Sequence, residues 1–408
     1  MKFLIALVLI ALPALVFSQS HFGIWTKGDT TGFTRRYALS SSVVGGKIYV
    51  FGGNEDGKVD GHTYQSNRLE VYDPIANHWE TPTTTGTFKP RQYLATAAVK
   101  DKIYVIGGAN GGDLSLVQIY DPANRSWTNA KSNMPTPRSA LTVSVIGDKI
   151  YAIGGANGVG VGILNTLEVY DPIADKWSTP TTAGRFPAMI KMTSCAIGNK
   201  IYVFGGYDGF TDLDSVYIFD ASSNTWSSPP VSGSFTARDE LTCSYANGKI
   251  YVFGGSVFGT PVNTVDVFDP ATNSWDSVTT KDTLTTRYAL TSASVNGKIY
   301  VLGGTDGIEP MNANQIFTPS LSKVESEPTV DAILLFPNPT TGVTTIQTSG
   351  AEISDLVISN SAGVVAARYT PKFSSSYHLD LSDYPAGAYF IKINYSGKII
   401  TKIILKIN

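Results

Sequence analysis

A heptapeptide that begins with lysine returns six times along the chain and sets its periodicity. Each copy continues with Ile-Tyr and two further apolar residues, and ends with Gly-Gly. The copies begin at Lys47, Lys102, Lys149, Lys200, Lys249 and Lys298. A short apolar run closed by paired glycines is typical of a buried strand followed by a tight turn. Because self-similarity at intervals of roughly 50 residues marks repeat architectures, six copies of one structural unit are predicted.

The hydrophobic pattern within one copy predicts four strands, as the third copy illustrates. Leu141 to Ile146 and Lys149 to Ile153 are apolar runs, joined by Gly147-Asp148, which suits a hairpin turn. Thr166 to Tyr170 then alternates polar and apolar residues, and Lys176 to Ser178 forms a short outer strand. Short strands separated by turn residues predict an all-β fold.

Tryptophans mark the outer strand of five copies, and the sixth copy is an exception. Each tryptophan lies six residues after an aspartate that begins a turn, and the five are Trp79, Trp127, Trp177, Trp226 and Trp275. In the sixth copy these two positions hold Thr318 and Val324, whereas the remaining tryptophan, Trp25, precedes the first copy. We therefore predict that the segment around Ile24-Trp25 supplies the outer strand of the last repeat.

The Gly-Gly pairs, the aromatic-Asp-Pro turns and the tryptophans resemble the kelch repeat in order and spacing, from His21 to about Ser320. The resemblance implies a six-bladed β-propeller over residues 19–320, with four antiparallel strands per blade, closed by the N-terminal strand. It also implies a structural role for a recurring arginine, bracing blade to blade rather than binding an anion. This arginine is Arg36, Arg91, Arg138, Arg238 or Arg287, with Met189 in the fourth copy.

The C-terminal stretch departs from the repeat pattern. Residues 321–330 are polar and are predicted to form a linker. Residues 331–408 contain about seven short strand patterns, which is enough for a small Ig-like β-sandwich.

Motifs in this stretch resemble the type A C-terminal sorting domain of the type IX secretion system. They are, in order, Phe336-Pro337-Asn338-Pro339, Leu356-Val357-Ile358, Asp380-Leu381-Ser382, Pro385 to Lys392, and the last strand from Lys398 to Ile407. The resemblance implies a Bacteroidetes-type export machinery as the partner of residues 331–408. It also implies that the domain is cleaved off after export, leaving the cargo secreted or attached to the outer cell surface.

The N-terminus and the charge balance fit export. Residues 1–18 combine Lys2, an apolar run and small residues before a predicted cleavage after Ser18, which is the pattern of a signal peptide. No other apolar run reaches the length of a membrane span, so no transmembrane segment is predicted in the mature chain. The formal net charge of -2 gives no electrostatic reason to expect nucleic acid as a partner.

Two cysteines, Cys195 and Cys243, lie at nearly equivalent positions of neighbouring copies. Export permits a disulfide between them. Their positions differ by one residue, however, and one residue of offset turns a strand side chain to the opposite face. We therefore expect two separate small buried thiols.

The copies differ most in two places, where we expect a ligand-binding face. One is the long loop from Asn54 to Ser66, and the other is the pair of residues after the arginine position. Candidate side chains, including those of later loops, are Tyr37, His62, Tyr64, Tyr93, Lys191, Tyr207, Asp239, Glu240, Phe258 and Tyr288. Among them, Lys191, Asp239 and Glu240 belong to adjacent copies and form either a solvated salt bridge or a polar ligand site.

Three functional hypotheses fit these patterns. The leading hypothesis is a non-catalytic binding protein for a glycan or an extracellular protein. The second is an enzyme resembling N-acetylneuraminate epimerase, with Lys191, Glu240 and His62 as acid–base candidates. The third is a structural surface or adhesion component. The four histidines have no metal-ligand spacing, and no metal or other cofactor is predicted.

Overall fold

The computed structural model describes residues 21–57, 62–158, 162–276, 278–321, 333–348, 353–360, 363–371, 376–395 and 398–408. The predicted signal peptide, residues 1–18, and residues 322–330 of the predicted linker lie outside these ranges. The chain divides into two compact units, residues 1–322 and 323–408. Every regular element in the described ranges is a β-strand. No helix long and apolar enough to cross a membrane occurs among the described residues.

Thirty strands of the first unit are described. They are β1 (His21–Lys27), β2 (Arg36–Tyr37), β3 (Ser40–Val44), β4 (Lys47–Phe51), β5 (Asn54–Gly57), β6 (His62–Gln65), β7 (Leu69–Asp73), β8 (His78–Glu80), β9 (Ala95–Val99), β10 (Lys102–Ile106), β11 (Val117–Asp121), β12 (Ser126–Asn129), β13 (Thr142–Ile146), β14 (Lys149–Ile153), β15 (Leu167–Asp171), β16 (Lys176–Ser178), β17 (Thr193–Ile197), β18 (Lys200–Phe204), β19 (Val216–Asp220), β20 (Thr225–Ser227), β21 (Thr242–Ala246), β22 (Lys249–Phe253), β23 (Ser256–Val257), β24 (Thr260–Pro261), β25 (Val265–Asp269), β26 (Ser274–Asp276), β27 (Val278–Lys281), β28 (Thr291–Val295), β29 (Lys298–Leu302) and β30 (Asn314–Leu321).

These strands form six larger sheets within the described residues, one for each sequence repeat. Sheets 1 to 6 have the orders β3-β4-β7-β8, β9-β10-β11-β12, β13-β14-β15-β16, β17-β18-β19-β20, β21-β22-β25-β26 and β28-β29-β30-β1-β27. Two smaller sheets, β2-β5-β6 and β23-β24, lie in the connections. Each heptapeptide forms the second strand of its sheet, as the hydrophobic pattern predicts.

The N-terminal strand β1 belongs to sheet 6, the position that the sequence assigns to it. It runs antiparallel to β30 with Trp25 opposite Phe317, just as Trp127 lies opposite Tyr120 in sheet 2. Trp25 is buried, and its ring lies 5.0 Å from that of Phe317 and 5.7 Å from that of Phe253 in sheet 5. Strand β27 adds a parallel fifth strand on the other side of β1, which the sequence pattern does not predict.

The apolar core of this unit lies between neighbouring sheets. Among the described residues, six clusters of buried side chains each join two successive sheets, and one of them joins sheet 6 back to sheet 1. The first strands of the sheets contact one another in the same cyclic order. Each sheet therefore buries both faces, which accounts for the near-continuous apolar character of the heptapeptides.

Backbone crowding explains why each heptapeptide ends in two glycines. Gly52 has a φ of 59°, and a Cβ atom there would lie 2.5 Å from the carbonyl oxygen of Arg91 in the next repeat. Gly53 has a φ of 94°, and its Cβ would lie 2.6 Å from the carbonyl oxygen of Tyr37. Only glycine adopts this conformation and permits this approach without strain.

The second unit contains two sheets. Its strands are β31 (Ile333–Phe336), β32 (Val343–Thr348), β33 (Ile353–Asn360), β34 (Val365–Tyr369), β35 (Ser376–Asp380), β36 (Gly387–Tyr395) and β37 (Lys398–Lys406). The orders are β31-β32-β35 and β34-β33-β36-β37. One cluster of buried side chains, including Ile346, Leu379 and Ile391, joins the two sheets and gives this unit its own core.

The expectation that Cys195 and Cys243 point away from each other is wrong. Their Sγ atoms lie 2.7 Å apart, with Cys195 on β17 and Cys243 on β21. Because successive sheets pack face to face, the opposite faces of equivalent strands are the ones that meet. The one-residue offset therefore brings the two thiols together.

Candidate functional site

A ring of six backbone hydrogen bonds defines the centre of the kelch-like unit. One residue just before the first strand of each sheet contributes to it, and the six are Ala38, Tyr93, Ala140, Lys191, Glu240 and Ala289. Each N–H donates to the carbonyl of the residue before it in this series at 2.8–2.9 Å, and Ala38 closes the ring on Ala289. All six have positive φ values, between 50° and 58°. Non-glycine residues in this conformation are uncommon, so the packing of all six repeats fixes them.

Three of these ring positions carry large polar side chains that meet at one side of the centre. Lys191 Nζ lies 2.7 Å from Glu240 Oε1 and 3.4 Å from Asp239 Oδ2. The Tyr93 hydroxyl donates to Glu240 Oε1 at 3.0 Å. The second oxygen of Glu240 is buried and has no hydrogen-bond partner among the described residues. The cluster therefore retains capacity for one more donor.

A recess of about 610 Å³ opens above this cluster. Its lining combines charged and aromatic side chains with Ser256 and Gly259: Tyr37, Tyr93, Lys191, Tyr207, Phe210, Asp212, Asp239, Glu240, Phe258 and Tyr288. Two of the aromatic side chains are highly exposed, Phe210 at 92% and Phe258 at 76%. Exposed aromatic rings around a polar centre are a feature of recognition surfaces.

The recess carries an excess of negative charge. Asp212, Asp239 and Glu240 are three carboxyl groups, and Lys191 is the one ammonium among the described lining residues. Asp212 is buried, and its Oδ2 accepts a hydrogen bond from the backbone N–H of Phe258 at 2.7 Å. This bond links the connection between β18 and β19 of sheet 4 to the connection between β22 and β25 of sheet 5, and it positions the exposed Phe258.

Burial and mutual repulsion shift the protonation equilibria of the cluster. Burial raises the pKa of Asp239 to about 6, and repulsion by Glu240 and Asp212 adds to this against the attraction of Lys191. Burial alone would lower the pKa of Lys191, but attraction by Glu240 and Asp239 outweighs it and the net pKa is raised. Burial, followed by the charge of Glu240, raises the pKa of Tyr93. At neutral pH the Lys191 ammonium is therefore charged, the Asp239 carboxyl group is mostly ionised, and the Tyr93 phenol is neutral.

Below the ring of hydrogen bonds the centre narrows to an apolar layer. The next residue of each copy is Leu39, Leu94, Leu141, Met192, Leu241 or Leu290, and these six, together with the six ring residues, line a space of about 90 Å³. This space is large enough for a few water molecules but not for a sugar ring or a side chain of a partner. The recess above the ring is therefore the part of this site that has room for a ligand of that size.

The recurring arginines are buried, form hydrogen bonds within and between neighbouring sheets, and do not line the recess. Each of the five is fully buried. Arg91 illustrates the pattern: its Nη1 donates to the Gly107 carbonyl at 3.0 Å in sheet 2, whereas its own carbonyl accepts the Gly53 N–H of sheet 1. Arg36 pairs with the buried carboxylate of Glu70 at 2.7 Å. Arg287 has the neutral Gln315 as its partner, and burial lowers its pKa to about 9.

The recess unites most of the side chains that the sequence nominates, but not those of the long loop. Between Asn54 and Ser66 the chain forms the hairpin of β5 and β6, where the sequence predicts a loop. Tyr64 lies on β6 and is not among the described residues that line the recess. The backbone of His62 also lies on β6. Residues 58–61 of this segment lie outside the described ranges. Of the acid–base candidates, Lys191 and Glu240 are brought together at 2.7 Å, whereas the side chain of His62 lies outside the described part of the chain.

Sequence reasoning did not nominate Phe210, Asp212 and Ser256, which also line the recess. All three follow a Gly-Gly pair, within loops that differ in length and composition from one repeat to the next. The variability of these loops is the sequence signal that points to them, but it does not show which of their residues face the recess. The backbone pairing of Tyr207 with Asp212 settles this for Asp212 by folding the loop back on itself.

Six similar β-sheets with equivalent registers define an all-β repeat protein, and comparison with known families agrees. Residues 14–155 and 140–324 match the KLHDC2/KLHL20/DRC7 Kelch-repeats domain. These matches span well over half of the chain, which belongs to the kelch-repeat family; its repeated sheets are consistent with a propeller. Residues 334–406 match the secretion system C-terminal sorting domain. This type IX sorting domain indicates secretion or localisation at the cell surface.

Curated relatives share the repeats rather than a whole-chain architecture. The Rab9 effector protein with kelch motifs of Xenopus laevis is 34% identical over 114 residues, 26% of this chain and 29% of that protein. Kelch-like protein 36 of Rattus norvegicus is 29% identical over 188 residues, 45% of this chain and 29% of that protein. A putative F-box/kelch-repeat protein of Arabidopsis thaliana, At3g46050, is 40% identical over 91 residues, 22% of each chain. The chain thus spans less than a third of the length of each of these relatives.

Proposed function

We propose that residues 19–320 form a six-bladed β-propeller closed by β1, and that residues 331–408 form an Ig-like β-sandwich. The cyclic series of hydrogen bonds from Ala38 to Ala289, and the pairing of β1 with β30, support the propeller. Two sheets on one shared core support the sandwich. We further propose that residues 1–18 are a cleaved signal peptide, so that export begins at the N-terminus and is completed through the sorting domain.

We propose that the mature protein is a non-catalytic binding module outside the cell, and that its recess receives a basic side chain of a partner protein. The observation that carries this proposal is the charge of the recess, where three carboxyl groups surround a single ammonium. Tyr207 and Tyr288 line the same space. A guanidinium or ammonium group gains both from carboxylates and from the faces of aromatic rings.

The rim favours a protein over a small free ligand. Phe210 and Phe258 extend the surface beyond the charged centre, and both are largely exposed. Exposed aromatic rings next to a desolvated charged centre are typical of interface hot spots. Proteins of the kelch family commonly mediate protein binding, which agrees with this choice.

An enzyme resembling N-acetylneuraminate epimerase is a weaker candidate. The Asp239 carboxyl group, with a pKa of about 6, is suited to proton transfer near neutral pH. However, Lys191 is held as an ammonium by two carboxylates, and Glu240 Oε1 already accepts hydrogen bonds from Lys191 and Tyr93. The candidate groups thus hold one another in place, which suits a binding surface better than an acid–base pair.

The purified full-length protein is expected to bind peptides rich in arginine or lysine in solution and not to bind acidic peptides of equal length. The double variant Asp239→Asn/Glu240→Gln is expected to weaken this binding about tenfold or more, because the cation loses two carboxylates. Binding should also weaken as the pH falls through about 6, where Asp239 takes up a proton. Fluorescence anisotropy with labelled peptides measures all three effects.

The matched control is Asp148→Asn, which removes one exposed carboxylate from the ion pair with Lys100, outside the recess. This variant should bind like the parent protein. A preference for acidic peptides, or an equal loss in the control, would overturn the proposal. Binding to a glycan array with no response to basic peptides would favour a glycan ligand stacked on the tyrosines instead.

A further inference from the structure

The two cysteines lie at the contact between sheets 4 and 5. Cys243 is buried in the cluster that joins these sheets, and Cys195 packs against the same cluster. Their Sγ atoms are 2.7 Å apart. Thr193 of β17 fixes the approach of the two strands, because its Oγ1 accepts the Cys243 N–H at 3.1 Å and donates to Cys243 Sγ at 3.4 Å.

This separation is shorter than an ordinary contact between two sulfur atoms and approaches bonding distance. A disulfide requires about 2.05 Å between the sulfurs, so less than about 1 Å of movement is needed. The chain contains no other cysteine, so no competing pairing within the chain exists. The sorting domain indicates that the protein is exported. Disulfides form and persist outside the cytoplasm, in the periplasm and at the cell surface.

We propose that Cys195 and Cys243 form a disulfide that covalently joins sheets 4 and 5 in the exported protein. Both S–H bonds break and one Sγ–Sγ bond forms, and each sulfur is oxidised by one electron. The oxidant is the disulfide of a thiol oxidoreductase, which is reduced to two thiols and takes up the two protons and two electrons. Because Cys243 is buried and Cys195 is half-buried in the folded protein, this exchange takes place before the two inner strands pack fully.

The bond also stabilises the recess. Lys191 lies just before β17, and Asp239 and Glu240 lie just before β21, so the ion pairs of the site are formed by the segments that lead into the two cysteine-bearing strands. The two cysteines are separated by 48 positions in the chain. Joining them restricts the unfolded chain over the whole of repeat four. The inference does not depend on the identity of the ligand.

Intact-mass analysis of the exported protein, in its processed form and denatured without reductant, tests the proposal. The expected mass is about 2 Da below that of the dithiol, and iodoacetamide should add no label. After reduction with dithiothreitol, two labels should be added. Two labels in the denatured protein before reduction would overturn the proposal, as would a disulfide to another chain.

Thermal unfolding gives a second readout that does not depend on labelling. Reduction is expected to lower the apparent Tm of the parent protein by roughly 5–10 °C. The Cys195→Ser/Cys243→Ser variant should unfold near the temperature of the reduced parent and should not respond to reductant. A parent protein whose Tm is unchanged by complete reduction would contradict a stabilising bond between the sheets.

Discussion

Replacing Trp25 with alanine is expected to lower the free energy of unfolding of the kelch unit by about 3–5 kcal/mol. Trp25 is buried between Phe317 of sheet 6 and Phe253 of sheet 5, so its removal leaves a cavity at the contact between the two sheets. It also weakens the strand that connects the N-terminus to the last repeat. Urea unfolding followed by the fluorescence of the other tryptophans measures the change.

The neighbouring residue provides the control for this prediction. Ile24 lies on the same strand with 38% of its surface exposed. Ile24→Ala is expected to cost about 1–2 kcal/mol, because the side chain is smaller than that of Trp25 and already partly exposed. Equal losses of unfolding free energy for Trp25→Ala and Ile24→Ala would show that β1 does not close the unit through Trp25.

Replacing Arg36 with methionine is expected to destabilise the protein by about 3–5 kcal/mol, more than the same change at Arg287. Arg36 is paired with Glu70 at 2.7 Å and both side chains are buried, so the change leaves a buried carboxylate without its counter-ion. Arg287→Met is expected to cost about 1–3 kcal/mol, because it leaves only neutral groups behind. Its partner, the Gln315 amide, keeps its bonds to the Thr285 N–H and the Thr283 carbonyl.

The fourth repeat already contains methionine at this position. Met189 is fully buried there, so the fold accommodates the side chain. Chemical denaturation of the two variants provides the comparison, and the Arg36→Met/Glu70→Leu double variant should recover part of the loss. A larger cost at Arg287 than at Arg36 would contradict the assignment of Glu70 as a buried carboxylate that depends on its arginine.

The repeated elements could be predicted from the sequence because every repeat packs in the same way against its neighbours and so needs the same residue types at the same positions. The Lys-Ile-Tyr heptapeptides mark the second strand of each sheet, and the paired glycines mark places where another backbone segment approaches too closely for a side chain. The missing sixth tryptophan placed Trp25 in sheet 6. Six independent copies of one pattern give a signal that a single copy does not.

The details that vary between repeats could be predicted only in part. The sequence nominated Lys191, Asp239 and Glu240, because the residues after the arginine differ from copy to copy. It did not show that Lys191 and Glu240 occupy positive-φ positions in one ring of hydrogen bonds, since that depends on contacts between repeats. For the same reason it placed the two cysteines on diverging faces, whereas the stacking of sheets brings them together.

The remaining gap concerns the loops after the Gly-Gly pairs. Tyr64 was nominated from the longest loop, yet it lies on a hairpin outside the lining of the recess. Asp212 comes from a shorter loop and reaches the recess through a bond to Phe258. Loop length and composition indicate where repeats differ, but the direction of each loop depends on the neighbouring sheet.

Photo-crosslinking from the recess tests the proposed binding site most directly. A photoreactive phenylalanine analogue would replace either Phe258, at the rim, or Ile75, an equally apolar residue that is 90% exposed outside the recess. A labelled tri-arginine peptide is expected to crosslink at position 258 and not at position 75, and a tri-glutamate peptide at neither. Equal crosslinking at both positions, or crosslinking of the acidic peptide at position 258, would contradict the account.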